Sequence, residues 1–175
     1  MTRPALPLLA ACTLLMSAPA AAKVAETSES GFTVSFAQSI GAPPDEVWAA
    51  LVQPARWWSP QHSWSGNAAN FALDPVAGGC FCERWGGNSA EHARVIFVVK
   101  GDTLRLRGAF GPLQKEALTG VLSFTLKAEG KGTALVVDYV VGGHARFALK
   151  DIAPAVDEVI GEQVKRLAAL FQPAG

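Results

Sequence analysis

Three residue types that bind metals or move protons lie close together between positions 80 and 94. Cys80 and Cys82 alternate with Phe81 and Glu83, and Glu91, His92 and Arg94 follow across a Gly86-Gly87 turn. Two thiolates and an imidazole are ligand types that zinc accepts. Cys80, Cys82 and His92 are therefore one possible metal set, and the cysteines alone are a possible redox pair. The C-x-C spacing with a distant histidine is not a standard zinc pattern, however, and no fourth ligand is evident. Residues i and i+2 of an extended strand lie roughly 6.5–7 Å apart at Cα, the far edge of disulfide geometry. A bulge at Gly78-Gly79 would shorten that distance. The expected state is two packed thiols with no metal, because free cysteine behaves as a small buried hydrophobe.

Glu83 and Arg94 are charges inside predicted strands. Facing inward they must pair, but a solvated rim is the simpler expectation. Among titratable groups, His62, Glu83 and His92 are the candidates for acid–base work, and none forms a recognisable dyad. The chain has no Gly-rich phosphate loop, no G-x-S-x-G and no H-E-x-x-H, so nucleotide-binding and common hydrolase readings have no support and no cofactor is called for.

Residues 54–64, PARWWSPQHSW, hold three of the five tryptophans. Neighbouring side chains cannot share a face, so Trp57 and Trp58 diverge. Rigid rings give much apolar contact area at small entropic cost. One of Trp57 and Trp58 is expected to plug the core. The other, with Trp64, rims a binding space that has His62 at its edge.

The elements that hold these residues follow from periodicity. Residues 1–22 have a charged start at Arg3, an apolar run from Ala5 to Met16 and a small-residue stretch ending at Ala22. That is the pattern of a cleavable signal peptide, and it predicts a periplasmic or secreted protein. Leu9 to Cys12 resembles a lipoprotein box, but the apolar run continues past the cysteine, so anchoring at Cys12 is disfavoured. Cleavage leaves 14 basic against 15 acidic residues, without a basic stripe. Nucleic-acid binding is therefore not expected. No run reaches the length of a membrane span.

Residues 23–30 are polar and expected to be flexible. The domain proper is 31–173. Phe32, Val34 and Phe36 alternate as a strand, and Pro43-Pro44-Asp45-Glu46 starts a short helix. Gly-punctuated strands fill positions 71–141, ending in two long alternating runs from Leu118 to Leu126 and from Thr133 to Val141. A helix from about Ile152 to Gln172 carries Val156, Val159, Ile160, Val164 and Leu167 on one face, with Pro154 in its first turn. A run of strands capped by one long helix argues an α+β layer. About seven antiparallel strands curl, and the helix covers their concave face. Such an arrangement leaves a cavity suited to a small molecule.

Two segments carry a family resemblance. Ala42 to Trp58, APPDEVWAALVQPARWW, is similar to the opening of the START-like, or SRPBCC, superfamily. Leu73 to Glu83, LDPVAGGCFCE, is similar to one of its strands. Within that superfamily the chain most resembles the homologues of the Hsp90 ATPase activator. The resemblance implies a helix-grip, Bet v 1-like fold with a pocket between sheet and helix, and it carries no universal catalytic residue. The superfamily includes lipid carriers and polyketide cyclases.

The resulting expectation is an exported protein that binds an apolar or lipid-like molecule, with Trp58, His62, Trp64, Phe81, Glu83, Trp85, Phe110, Leu113, Phe124, Tyr139 and Ile160 in or around the cavity. Gly108 to Leu113 is a candidate lid. A cavity enzyme of cyclase or lyase type is the alternative. A co-chaperone-like interaction module is a further one, which export away from a cytosolic ATPase disfavours.

Overall fold

The computed structural model describes residues 23–172. The signal-peptide expectation for 1–22 lies outside the described residues. Eight antiparallel strands form one sheet in the order β1-β2-β8-β7-β6-β5-β4-β3. The strands are β1 (Lys23–Thr27), β2 (Gly31–Ile40), β3 (Phe71–Leu73), β4 (Cys80–Trp85), β5 (Asn88–Val99), β6 (Thr103–Arg107), β7 (Ala117–Glu129) and β8 (Gly132–His144). Helix α1 (Pro44–Leu51) follows β2, and helix α2 (Leu149–Ala169) closes the chain. The whole is a curved antiparallel sheet with a long C-terminal helix, the α+β helix-grip arrangement.

Two features differ from the sequence reading. Residues 23–27 are not a loose tail: they pair with β2, Lys23 opposite Ser35 and Thr27 opposite Phe32, and raise the strand number from seven to eight. An edge strand needs only backbone pairing, so its side chains need not alternate. Helix α2 begins at Leu149, so Pro154 lies inside it and not in its first turn. Proline costs the helix one backbone hydrogen bond there. Leu149 and Ala153 are nevertheless buried, and their packing keeps the extra turn.

The long strands behave as their alternation predicts. Leu135, Val137, Tyr139 and Val141 of β8 face inward, while Val136 and Val140 are exposed. On β7, Leu122, Phe124 and Leu126 are likewise buried. Helix α2 crosses this concave face and approaches β2 closely. A Cβ on Gly161 would stand 2.9 Å from Phe36 Cε1, so the helical glycine answers to a strand ring.

Gly86 and Gly87, with φ of 49° and 84°, form the two-residue turn that joins β4 to β5 and sets Trp85 opposite Asn88. Positive φ at both central residues is the signature of a type I′ hairpin. The register runs regularly to Cys82 opposite Glu91, then slips so that Phe81 faces Ala93. The slip leaves His92 as the extra residue of a bulge. His92 and Ala93 consequently both turn inward, with 5% and 1% exposure.

Candidate functional site

The segment between α1 and β3 is built from the tryptophan cluster. Pro54 and Pro60 start short 3-10 turns at Pro54–Arg56 and Pro60–His62. Trp57 is buried and donates its indole N–H to the Ala50 carbonyl at 3.1 Å. Its ring meets Phe124 edge-on with centroids 6.3 Å apart. Trp58 points elsewhere, as adjacency requires. It packs on Phe71, Phe81 and Phe110 and donates to the His62 carbonyl at 2.9 Å.

Three polar contacts strap this segment to α2. His62 Nε2 lies 2.9 Å from Glu162 Oε2. The Ser59 amide donates to Gln163 Oε1 at 2.7 Å, and Arg166 Nε donates to the Trp57 carbonyl at 2.8 Å.

Opposite the strap, residues Gly111–Lys115 form a further 3-10 turn. Between the two segments and the first half of α2 lies a cavity of about 250 Å³. Trp58, Trp64, Phe110, Leu113, Val156 and Ile160 are among its apolar walls, and His62 and His92 are its titratable lining groups. The crowding of rings in residues 54–64 is thus divided: Trp57 is a core plug, Trp58 is a wall and Trp64, at 45% exposure, stands at the rim.

Six of the residues expected around a cavity line it: Trp58, His62, Trp64, Phe110, Leu113 and Ile160. Five do not. Phe81 packs behind Trp58 and the His92 ring. Phe124 lies in the core against Trp57. Trp85 sits half-buried beside the β4–β5 turn. Tyr139 lies deeper, its hydroxyl 3.0 Å from the Gly108 carbonyl. Glu83 stands outside the lining, in contact with His92.

Glu83 is fully buried, so neither a rim position nor a bond to Arg94 describes it. Arg94 is exposed and pairs with Glu91. The Glu83 carboxylate instead accepts the Trp64 amide at 2.9 Å and the Ser65 amide at 2.6 Å, and its Oε2 lies 3.0 Å from His92 Nε2. Burial alone would raise the carboxyl's pKa, but the bonds from Ser65, Trp64 and His92 outweigh it and hold it below the usual carboxylate range. Burial lowers His92 below the ordinary histidine value, and the Glu83 contact offsets this only in part. The pair is a carboxylate holding a neutral imidazole at a cavity wall.

Spacing contained a signal for this pair. A two-residue turn at Gly86-Gly87 sets Glu83 opposite Ala90, and His92 is then two residues further on the same face. The lining residues Gln61, Ser63, Pro112, Ile152, Ala155 and Val159 carried no comparable signal, since loop backbone and helix rotation decide them.

Cys80 and Cys82 are joined in a disulfide, with Cα atoms 5.4 Å apart. This overturns the expectation of packed thiols, and it removes the thiolates that a zinc site with His92 requires. The strand is contracted between the two cysteines relative to a regular one, next to the register slip at Phe81 and Cys82. Among the described residues, no three His, Cys, Asp or Glu side chains gather as a metal site.

The profile of the family described as "Activator of Hsp90 ATPase homolog 1-like protein" matches residues 41–172. The chain belongs to that family. The matched span runs from the approach to α1 through the end of α2, and so contains the cavity. No curated protein matches the sequence. Solved structures with the same fold include CalU16 from Micromonospora echinospora, 17% identical with a TM-score of 0.59, covering 89% of this chain and 85% of that one. MLL2253 from Mesorhizobium loti is 23% identical with a TM-score of 0.57, covering 79% and 95%. Protein CV1439 from Chromobacterium violaceum is 19% identical with a TM-score of 0.56, covering 81% and 98%. At these identities the likeness is one of fold.

Proposed function

We propose that the mature chain is an exported small-molecule-binding protein whose ligand sits between the tryptophan segment, the Gly111–Lys115 turn and α2. The observation that carries this reading is the 250 Å³ cavity itself, walled by Trp58, Phe110, Val156 and Ile160. Apolar walls with a few placed polar groups are the usual make-up of a ligand site. Among the described residues no helix is long and apolar enough to cross a membrane. Export rests on the sequence pattern of residues 1–22, and the Cys80–Cys82 disulfide supports it, because disulfides persist in oxidising compartments.

The test has two arms. Expression of the full chain with fractionation and N-terminal sequencing should yield a protein beginning at Lys23 outside the cytoplasm. A thermal-shift screen with mono- and bicyclic amphipathic compounds should find stabilising ligands, and Val156→Trp, which fills the cavity, should abolish the shifts. Retention of every shift in that variant would place binding elsewhere.

A second reading, a cavity enzyme of cyclase or lyase type, is favoured by one observation: the Glu83–His92 pair, 3.0 Å apart with the imidazole at the cavity wall. A perturbed titratable group in a pocket is a candidate for proton transfer. Consumption of a bound ligand by the wild type and not by His92→Gln would favour this reading over simple carriage. The family's descriptive name points to a co-chaperone, but a fold shared by descent does not fix an activity, and an exported chain never meets a cytosolic ATPase.

A further inference from the structure

Two facts about His92 restrict what the cavity can hold. The first is its tautomer. Both Glu83 oxygens accept backbone N–H groups, at 2.9 Å from Trp64 and 2.6 Å from Ser65. An ionised carboxylate only accepts hydrogen bonds, so its contact with His92 Nε2 at 3.0 Å puts the ring proton on Nε2. A neutral imidazole protonated there has a lone pair on Nδ1.

The second fact is that Nδ1 is unused. No side chain or backbone group among the described residues bonds to it. Asp157 Oδ1 is the one sealed side-chain oxygen or nitrogen among them without a partner, so Nδ1 is not sealed, and the space that the His92 residue borders is the cavity. The ring packs on both Phe71 and Phe81, with centroids 4.9 and 5.5 Å away, and those two rings meet each other at 5.5 Å. Several of the cavity's other polar groups are committed within the protein: His62 Nε2 to Glu162, the Trp58 indole to the His62 carbonyl and the Ser63 hydroxyl to the Pro60 carbonyl.

We propose that the cavity selects a one- or two-ring aromatic ligand bearing a hydroxyl, and that His92 Nδ1 accepts the hydrogen bond from that hydroxyl. This rests on the cavity being the binding site. Size sets the ring count. A dry cavity of about 150 Å³ holds benzene, so 250 Å³ takes a substituted ring or a fused pair and not the whole of a long-chain lipid. Chemistry sets the head group. A lone pair backed by a buried carboxylate attracts a donor and repels an anion, so a phenol fits where a carboxylic acid does not. The walls, Trp58 and Phe110 above all, offer aromatic faces to the rest of the ligand.

The experiment compares 1-naphthol with naphthalene by calorimetry on the disulfide-bonded chain from Lys23. Wild type should bind 1-naphthol more tightly than naphthalene. His92→Leu should still bind naphthalene and should lose that preference, by roughly two- to tenfold, the span of one net hydrogen bond. The second measurement needs no variant: in ¹⁵N spectra at neutral pH, the unprotonated His92 Nδ1 resonance should move on addition of 1-naphthol and stay in place with naphthalene. An undiminished naphthol preference in His92→Leu, or a naphthol-bound spectrum with Nδ1 unmoved, overturns the proposal and leaves the cavity reading standing. Wild-type protein that binds neither compound overturns both.

Discussion

The Tyr139 hydroxyl accepts the Phe110 amide proton at 3.2 Å while donating to the Gly108 carbonyl at 3.0 Å. One buried phenol on β8 therefore fixes the chain on both sides of Ala109, where β6 gives way to the turn that walls the cavity. Gly120 makes room for it, since a Cβ there would overlap the Tyr139 ring. Burial pushes the phenol far above its ordinary pKa, against the opposing Phe110 bond, so it stays protonated and able to donate.

Tyr139→Phe should accordingly cost about 1–3 kcal/mol, because it leaves the Phe110 amide and the Gly108 carbonyl unpaired. Urea unfolding measures the loss. Hydrogen exchange locates it: protection should drop in residues 108–115 and hold in β7 and β8. A uniform drop across the sheet would show that the hydroxyl serves the core and not the turn.

Gly161→Ala tests how tightly α2 lies on the sheet. Helix propensity alone favours alanine by about 1 kcal/mol. The added methyl would stand 2.9 Å from Phe36 Cε1, and overpacking of this kind typically costs about 1–3 kcal/mol. The steric effect should win, giving a net destabilisation. Phe36→Leu in the same chain should recover part of it, so that the two changes are non-additive. An alanine variant more stable than wild type would mean that the helix slides freely.

How far the sequence foretold this molecule depends on what fixes each part. Strands β2, β7 and β8 were legible because a strand with one buried face must alternate, and Phe32-Val34-Phe36 and Leu135-Val137-Tyr139 do so without interruption. Strand β1 was not legible, because Lys23–Thr27 is held by backbone pairing with β2 and a polar edge leaves no periodic trace. The same difference separates the site residues. Trp58 and Phe110 could be named because large rings in short loops have few other places to go. Val156 and Val159 were visible as one apolar helix face, but which part of that face meets sheet and which meets empty space is a matter of helix placement. Local backbone geometry defeated the cysteine reading, since regular strand spacing puts a bridge at the far edge of its range and the contracted strand brings it well within reach.

Acid should destabilise the fold through the Glu83–His92 pair. Burial sets the folded His92 value below the usual 6.5, so the unfolded chain takes up a proton first, and stability falls as pH drops below about 6.5 until the folded value is passed. Glu83 acts lower on the scale. Its folded value lies under 4.5, so its contribution is present above that pH and is lost as pH falls through the folded value. Asp157 has the opposite sign: burial raises it above 3.8, which favours the folded state only while the carboxyl is protonated. Unfolding free energies at pH 7.5, 6 and 5 should decline, and His92→Leu should flatten the decline above pH 5. An unchanged slope in the variant would assign the acid sensitivity to other groups.

The Cys80–Cys82 bridge should contribute little to stability. In the chain-entropy picture a cross-link stabilises by restricting the unfolded chain, and the effect grows with the loop it closes. This loop holds three residues, for which the same relation gives about 1.5 kcal/mol. For a chain of this length that corresponds to roughly 3–6 °C in Tm. Melting the oxidised protein with and without a reductant, beside the Cys80→Ser, Cys82→Ser double variant, should show a shift of that size in both cases. Free-thiol titration of the oxidised chain from Lys23 should find none. A shift above about 10 °C would mean that the bridge also holds the native strand in its contracted form, and with it the bulge that turns His92 toward the cavity.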